Sequence, residues 1–169
     1  MSGVIKSVIS DQVLYECYVS TPLGIALVKG NSGGLTNLEL TGNEQSETEV
    51  PAQLESVVTQ LQEYFNGTRF TFNLVLNPEG TSFQRRVWKA LLEIPFGKTI
   101  SYLKLAQQLG DPLAVRAVAA ANGKNPIWIV IPCHRVIGSD GSLTGYAGGL
   151  GRKRWLLNHE SAQPQQVLF

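Results

Sequence analysis

Five consecutive apolar residues, Ile127-Trp-Ile-Val-Ile131, run into Pro132, which cannot donate to a sheet ladder. A short run this apolar predicts a buried strand. Beyond the proline the chain delivers Cys133 and His134 side by side. A thiolate is the reactive form of cysteine, and a neighbouring base or positive charge makes it accessible near neutral pH. The stretch Asn125 to Val136 therefore reads as the end of a buried strand presenting a reactive thiol. The plainer reading keeps Cys133 as a small buried hydrophobe.

Charge divides the rest of the chain. From Thr81 to Glu160 there are eleven Lys or Arg against four acids, a net charge of +7, while the remainder carries −6. A basic half joined to an acidic half suggests a polyanionic partner for the basic half. With 43% hydrophobic and 16% charged residues, the 169-residue chain is neither disordered nor fibrous. No apolar run approaches the roughly 18 residues of a membrane span. The start, Met-Ser-Gly-Val-Ile-Lys, has no signal-peptide pattern, so the expectation is a cytoplasmic protein. Two cysteines, Cys17 and Cys133, fit a reducing compartment, and Cys133-His134 is awkward spacing for a metal site. No metal and no cofactor are expected.

The N-terminal half alternates like a sheet. Val13 to Val19, Ile25 to Val28 and Leu35 to Leu40 read as three antiparallel strands joined at Thr21-Pro-Leu-Gly24 and Gly33-Gly34, with Cys17 as packing. From about Pro51, Leu54, Val57, Val58, Leu61, Tyr64 and Phe65 recur at helical spacing, and Asn66-Gly67 ends the helix. Phe70, Phe72, Leu74 and Leu76 predict a further strand. Asn77-Pro-Glu-Gly80, where the charge changes sign, is the expected boundary between domains 1–80 and 81–169.

The second half reads as mostly helical, giving an α+β chain. Thr81 and Gln84 fit a capping box. Ser101 caps a helix from Tyr102 to Leu109, and Asp111-Pro112 starts another, together a helix-turn-helix pattern. In that last helix Val115 and Val118 are assigned to the core. Arg116, Ala119, Ala120 and Gly123 fall on a second, flat face, from which an arginine can reach into a duplex. Six glycines between Gly138 and Gly151 predict a loop whose backbone contacts a ligand. The final helix opens with Arg152, Lys153 and Arg154, the wrong sign for a helix N-terminus unless that turn faces phosphate.

Taken together, Phe83-Gln-x-x-Val-Trp, Ile94-Pro-Phe-Gly, Ser101-Tyr102, Arg116-Ala-Val, Asn125-Pro126, Pro132-Cys-His-Arg-Val136, Gly145-Tyr-x-Gly-Gly and Leu156-Leu-x-x-Glu160 resemble, in that order, the O6-alkylguanine-DNA alkyltransferases. The resemblance implies repair of double-stranded DNA by direct reversal, with O6-alkylguanine flipped out and its alkyl group passed irreversibly to the protein. It implies Cys133 as acceptor, His134 as base through water, Glu160 orienting His134, Tyr102 acting on the departing guanine, and Asn125 bracing the turn between the recognition helix and the active-site strand. Arg116 would fill the gap left by the base, with Ala119, Ala120, Gly123, Arg135, Arg152 and Lys153 on the DNA surface. Tyr102, Val136, Tyr146 and Ala147 would form the base pocket of a monomeric protein. The resemblance leaves open whether O4-alkylthymine is also a substrate. Ala119 stands where many relatives have glycine, while Cys133 is present where lesion-binding relatives without activity have Trp.

Two other classes compete. A helix-turn-helix regulator would bind DNA without chemistry, and a cysteine hydrolase would turn over repeatedly. The second leaves the basic half unexplained.

Overall fold

The computed structural model describes residues 4–9, 12–42 and 44–162, and the chain divides into two compact units. The first holds the chain up to Glu79 together with Pro126–Trp128, and the second holds Gly80–Asn125 and the chain from Ile129 onward. Ser10, Asp11 and the Gln-rich tail beyond Ala162 lie outside the described residues.

The first unit is built on an antiparallel meander in the order β1 (Val4–Ile9), β2 (Gln12–Thr21), β3 (Gly24–Asn31), β4 (Gly34–Leu40). Three of these strands were expected, and β1 is a fourth. The β2–β3 hairpin closes with Thr21 opposite Gly24, and Thr21 Oγ1 accepts from Leu23 N at 3.0 Å. The β3–β4 hairpin closes with Asn31 opposite Gly34, and Asn31 Oδ1 accepts from Gly33 N. Alternation turns Cys17, Val19, Ala26, Val28 and Leu38 inward, all buried. Cys17 is packing, as expected. A 3-10 turn, Ala52–Leu54, leads into α1 (Glu55–Phe65), which buries Val57, Val58, Leu61 and Tyr64 on one face.

The strand expected from Phe70 to Leu76 is not formed. Its alternation is real, but the Gln60 side chain takes the backbone instead, accepting from Asn73 N at 2.8 Å and donating to Asn73 O at 3.1 Å. Only Leu76 makes a bridge, parallel to Leu35. Here Gly34 has φ +132°, and a Cβ on it would lie 2.5 Å from Val75 O. Both the backbone conformation and the clash penalise a side chain, so Gly34→Ala should cost about 2–3 kcal/mol in urea unfolding. A loss under half of that would mean the β4 edge is free to shift.

Helices dominate the second unit. The capping box at α2 (Ser82–Leu91) is complete: Thr81 Oγ1 accepts from Gln84 N and Gln84 Oε1 accepts from Thr81 N. Ser101 caps α3 (Tyr102–Gln108), accepting from Lys104 N. Asp111 accepts from Leu113 N above a 3-10 turn, Pro112–Ala114, that runs into α4 (Val115–Gly123). Val118 is fully buried, and Trp88 of α2 donates to Ala121 O at 2.8 Å, locking α2 to α4. A two-residue parallel pair joins β5 (Ile100–Ser101) to β6 (Val136–Ile137). The last helix, α5 (Leu150–Ala162), starts two residues ahead of the cationic turn.

The apolar run Ile127–Ile131 is buried for most of its length but is not a strand. Ile127 makes one bridge to Leu38, Trp128 to Val130 turn, and Ile129 takes φ +73°. An apolar run this short reports burial, and burial does not choose between a strand and a packed turn. No helix among the described residues is long and apolar enough to cross a membrane.

Candidate active site and its nucleic-acid face

Pro132 sets the geometry at the thiol. Its φ of −80° and ψ of 63° make an inverse γ-turn in which Cys133 N donates to Ile131 O at 2.8 Å. A 3-10 turn, Cys133–Arg135, follows directly. Two asparagines hold it: Asn125 Nδ2 donates to Ile131 O at 2.8 Å and Asn122 Nδ2 to Cys133 O at 3.3 Å. Asn125 thus ties the end of α4 to the thiol turn. A β-branched residue at positive φ, as at Ile129, costs about 1–3 kcal/mol and persists only where surrounding contacts overrule it.

Helix α5 supplies the second half of the site. Lys153, Leu156 and Glu160 share its buried stripe at i, i+3 and i+7. Glu160 Oε2 meets His134 Nε2 at 2.7 Å, both side chains being essentially without solvent. Burial alone would raise the Glu160 carboxyl, but hydrogen bonds and charge from His134 and Arg135 hold it well below the usual carboxylate range. An ionised carboxylate only accepts, so the Nε2 proton faces Glu160 and Nδ1 carries the lone pair of the neutral ring. Nδ1 is buried and has no protein hydrogen-bond partner among the described residues. Burial lowers the His134 pKa, Glu160 opposes this, and the charges of Arg135 and Lys153 add to it.

The thiol itself is held neutral. Burial pushes Cys133 up to about 11, against which Asn125 and the charge of Lys153 work to lower it. Such a thiol reacts only when a base removes its proton, and the one imidazole beside it is neutral and therefore able to accept.

Two basic residues expected on the DNA surface are elsewhere. Arg135 is buried: Nε and Nη2 donate to Glu160 at 2.8 and 3.0 Å, and Nη1 donates to Ile94 O at 2.6 Å. Lys153 is fully buried, donating through Nζ to Val136 O at 2.7 Å and Thr144 O at 2.9 Å, with Nζ 5.8 Å from the Tyr102 ring centroid. A cation with its donors committed inside the fold cannot reach a phosphate. The part Lys153 takes in the site was missed because its charge was read without its place on the stripe with Leu156 and Glu160. Arg152 is half-buried.

Tyr102 opens α3 and donates to Thr144 O at 3.0 Å, sharing that acceptor with Lys153. Burial raises its pKa, Thr144 works against this, and the nearby Cys133 adds to it. Its phenol is therefore a proton donor at neutral pH.

Beside Tyr102 lies a groove of about 550 Å³. Val115, Arg116, Ala119 and Gly123 of α4 line it on one part and Thr144 to Ala147 on another. Val115 faces this groove, not the core assigned to it. Arg116 is exposed, and so is Ala120, which stands outside the groove lining. Val136, expected in the base pocket, is instead fully buried in β6 and absent from that lining. Among the described residues no three of His, Cys, Asp or Glu gather to hold a metal ion.

The chain as a whole also matches known proteins. The family description "6-O-methylguanine DNA methyltransferase, DNA binding domain" fits residues 82–162, and its companion "ribonuclease-like domain" fits residues 13–78. The chain belongs to the 6-O-methylguanine DNA methyltransferase family. The methylated-DNA–protein-cysteine methyltransferase of Methanosarcina barkeri is 47% identical over 154 residues, 87% of this chain and 97% of that protein. Mycobacterium tuberculosis O6-methylguanine methyltransferase superposes with a TM-score of 0.81 at 44% identity, covering 90% of this chain and 96% of that one. The Mycobacterium tuberculosis OGT in complex with DNA superposes at 0.79 with 47% identity, covering 86% and 92%.

Proposed function

We propose that this member of the family repairs DNA by moving the alkyl group of an extruded O6-alkylguanine onto Cys133. Homologues named for the same reaction, one of them crystallised with DNA, support alkyl transfer and a DNA partner. The observation that carries the assignment of residues is the His134–Glu160 contact at 2.7 Å beside a thiol held up to about 11.

The chemistry follows from these groups. His134 Nδ1 takes the thiol proton, through a bridging water because adjacent side chains do not face each other. The sulfur then attacks the alkyl carbon in line: the S–C bond forms as the C–O6 bond breaks, and the electron pair leaves with guanine. Tyr102 gives its proton to the departing base. Lys153, fixed between Val136 O and Thr144 O, lowers the thiol pKa and steadies the acceptor of Tyr102. A thioether is not hydrolysed under mild conditions, so each chain acts once. Beyond that water the step asks for protein groups alone, and the chain acts as a monomer.

Extrusion of the base belongs to the α4 groove. Its small residues allow close approach to DNA, and Arg116 is the exposed side chain long enough to take the vacated place.

His134 and Glu160 act as one unit on this reading. His134→Ala and Glu160→Gln should each slow single-turnover transfer at pH 7 by about 10²–10⁴-fold. Without the base, ionisation must come from the medium, so part of the loss returns as the pH rises toward the thiol pKa. The double variant should be little slower than the worse single one. Losses that multiply, or that are the same at every pH, would separate the two residues and remove the base.

A further inference from the structure

We propose that Arg135 is a positioning residue, clamping both oxygens of Glu160 so that His134 stays a neutral base with Nδ1 as its basic nitrogen. This rests on the alkyl-transfer reading above and adds a group that does not itself touch the substrate.

The geometry is that of a saturated carboxylate. Oε1 accepts from Arg135 Nε at 2.8 Å and from Gly97 N at 3.3 Å. Oε2 accepts from Arg135 Nη2 at 3.0 Å and meets His134 Nε2 at 2.7 Å. A carboxylate offers about four lone-pair sites, and here all four meet donors. The guanidinium is fixed in turn by Ile94 O and lies 5.7 Å from the Phe96 ring centroid. Turning the carboxylate away from His134 would break a two-bonded Arg–carboxylate fork, the more directional kind of ion pair. Glu160 therefore cannot drift, and neither can the ring it holds.

Charge acts in the same direction as geometry. A buried carboxylate with His134 as its sole partner would draw a proton onto the imidazole, and an imidazolium cannot accept one from a thiol. Arg135 supplies the positive charge that Glu160 requires, so the imidazole need not. The charged groups that act on His134 are Arg135 on its own turn and Glu160 and Lys153 on α5, while Tyr102 of α3 and Tyr146 of the glycine-rich loop are coupled to the neighbouring Cys133. Among these, two cations stand against one carboxylate, and the thiol and phenols are neutral near pH 7. Replacing Arg135 leaves one cation, Lys153, whose donors are already on Val136 O and Thr144 O.

The test is a pH series from 6 to 9 on the full chain, for the wild type, Arg135→Met and Arg135→Lys. It measures single-turnover methyl transfer from methylated-guanine DNA and the NMR titration of His134. Arg135→Met should raise the His134 midpoint and move the acid limb of the rate profile upward. Beyond the severalfold loss that comes with the missing fork at every pH, the loss should include about a further tenfold at pH 6, where protonation would leave about a tenth as much neutral imidazole, and this part should shrink toward pH 9. Arg135→Lys keeps the charge and loses the fork. Its midpoint should stay at the wild-type value while transfer slows severalfold at every pH. An unmoved midpoint with a pH-independent loss in Arg135→Met overturns the proposal. So does a wild-type rate in Arg135→Lys, which decides the matter alone if Arg135→Met does not fold. A wild type that takes no methyl group on Cys133 instead overturns the underlying function.

Discussion

Cys133→Ala is expected to take up no alkyl group at all while binding DNA as the wild type does. Transfer requires a nucleophile within reach of a base, and Cys133 adjoins the neutral His134 at the end of the Pro132 turn. The other thiol cannot substitute. Cys17 is wholly buried in the meander, and burial with the charge of Glu16 pushes it up to about 11 with no imidazole beside it. Removing one sulfur atom from a 4% exposed side chain leaves the turn and its asparagine braces in place, so folding and DNA contact should survive. Gel-shift titration and intact mass on the same sample separate the two properties. Loss of DNA binding along with transfer would make Cys133 a structural residue.

Arg116→Ala should have the next largest effect, and a selective one. A plain phosphate contact weakens binding uniformly and, when removed, reduces the salt slope by about one unit. A residue that fills the place of an extruded base acts on the extrusion step. That step costs a few kcal/mol and is cheapest for mispaired or single-stranded bases. Arg116 is exposed at the α4 groove among Val115, Ala119 and Gly123, where a backbone can approach DNA closely. Repair of a paired lesion should therefore slow by two to three orders of magnitude, at about 1.4 kcal/mol for each tenfold. Repair of the free alkylated base should hardly change, with mispaired lesions in between. Equal losses on duplex and free base would remove Arg116 from extrusion.

Local chemistry was legible in the sequence wherever a short-range rule applied. Thr81 with Gln84, Ser101, Asp111-Pro112 and the two hairpin turns each concern residues within four positions, and each formed as its side chains dictate. Conformation was not legible where the pattern records burial alone. Ile127–Ile131 is apolar because it is buried, yet Ile129 turns with positive φ. Phe70 to Leu76 alternates, yet the Gln60 amide takes the backbone of Asn73. Long-range pairing was the other blind spot. Arg135 meets a carboxylate twenty-five residues away, and Lys153 meets carbonyls of Val136 and Thr144, so neither reaches the surface where an unpaired cation belongs. Only α5 spacing carried a usable hint, because Lys153 and Glu160 flank the buried Leu156 on one stripe.

The central claim is that this chain carries one alkyl group, on one sulfur, once. Incubation of the wild type with excess methylated-guanine DNA, followed by intact mass and peptide mapping, tests it directly. The account predicts a single added methyl group per chain, located on Cys133, with no further substrate consumed after the protein is fully labelled. A methyl group on Cys17, or substrate consumed beyond one equivalent while Cys133 stays unmodified, would contradict it.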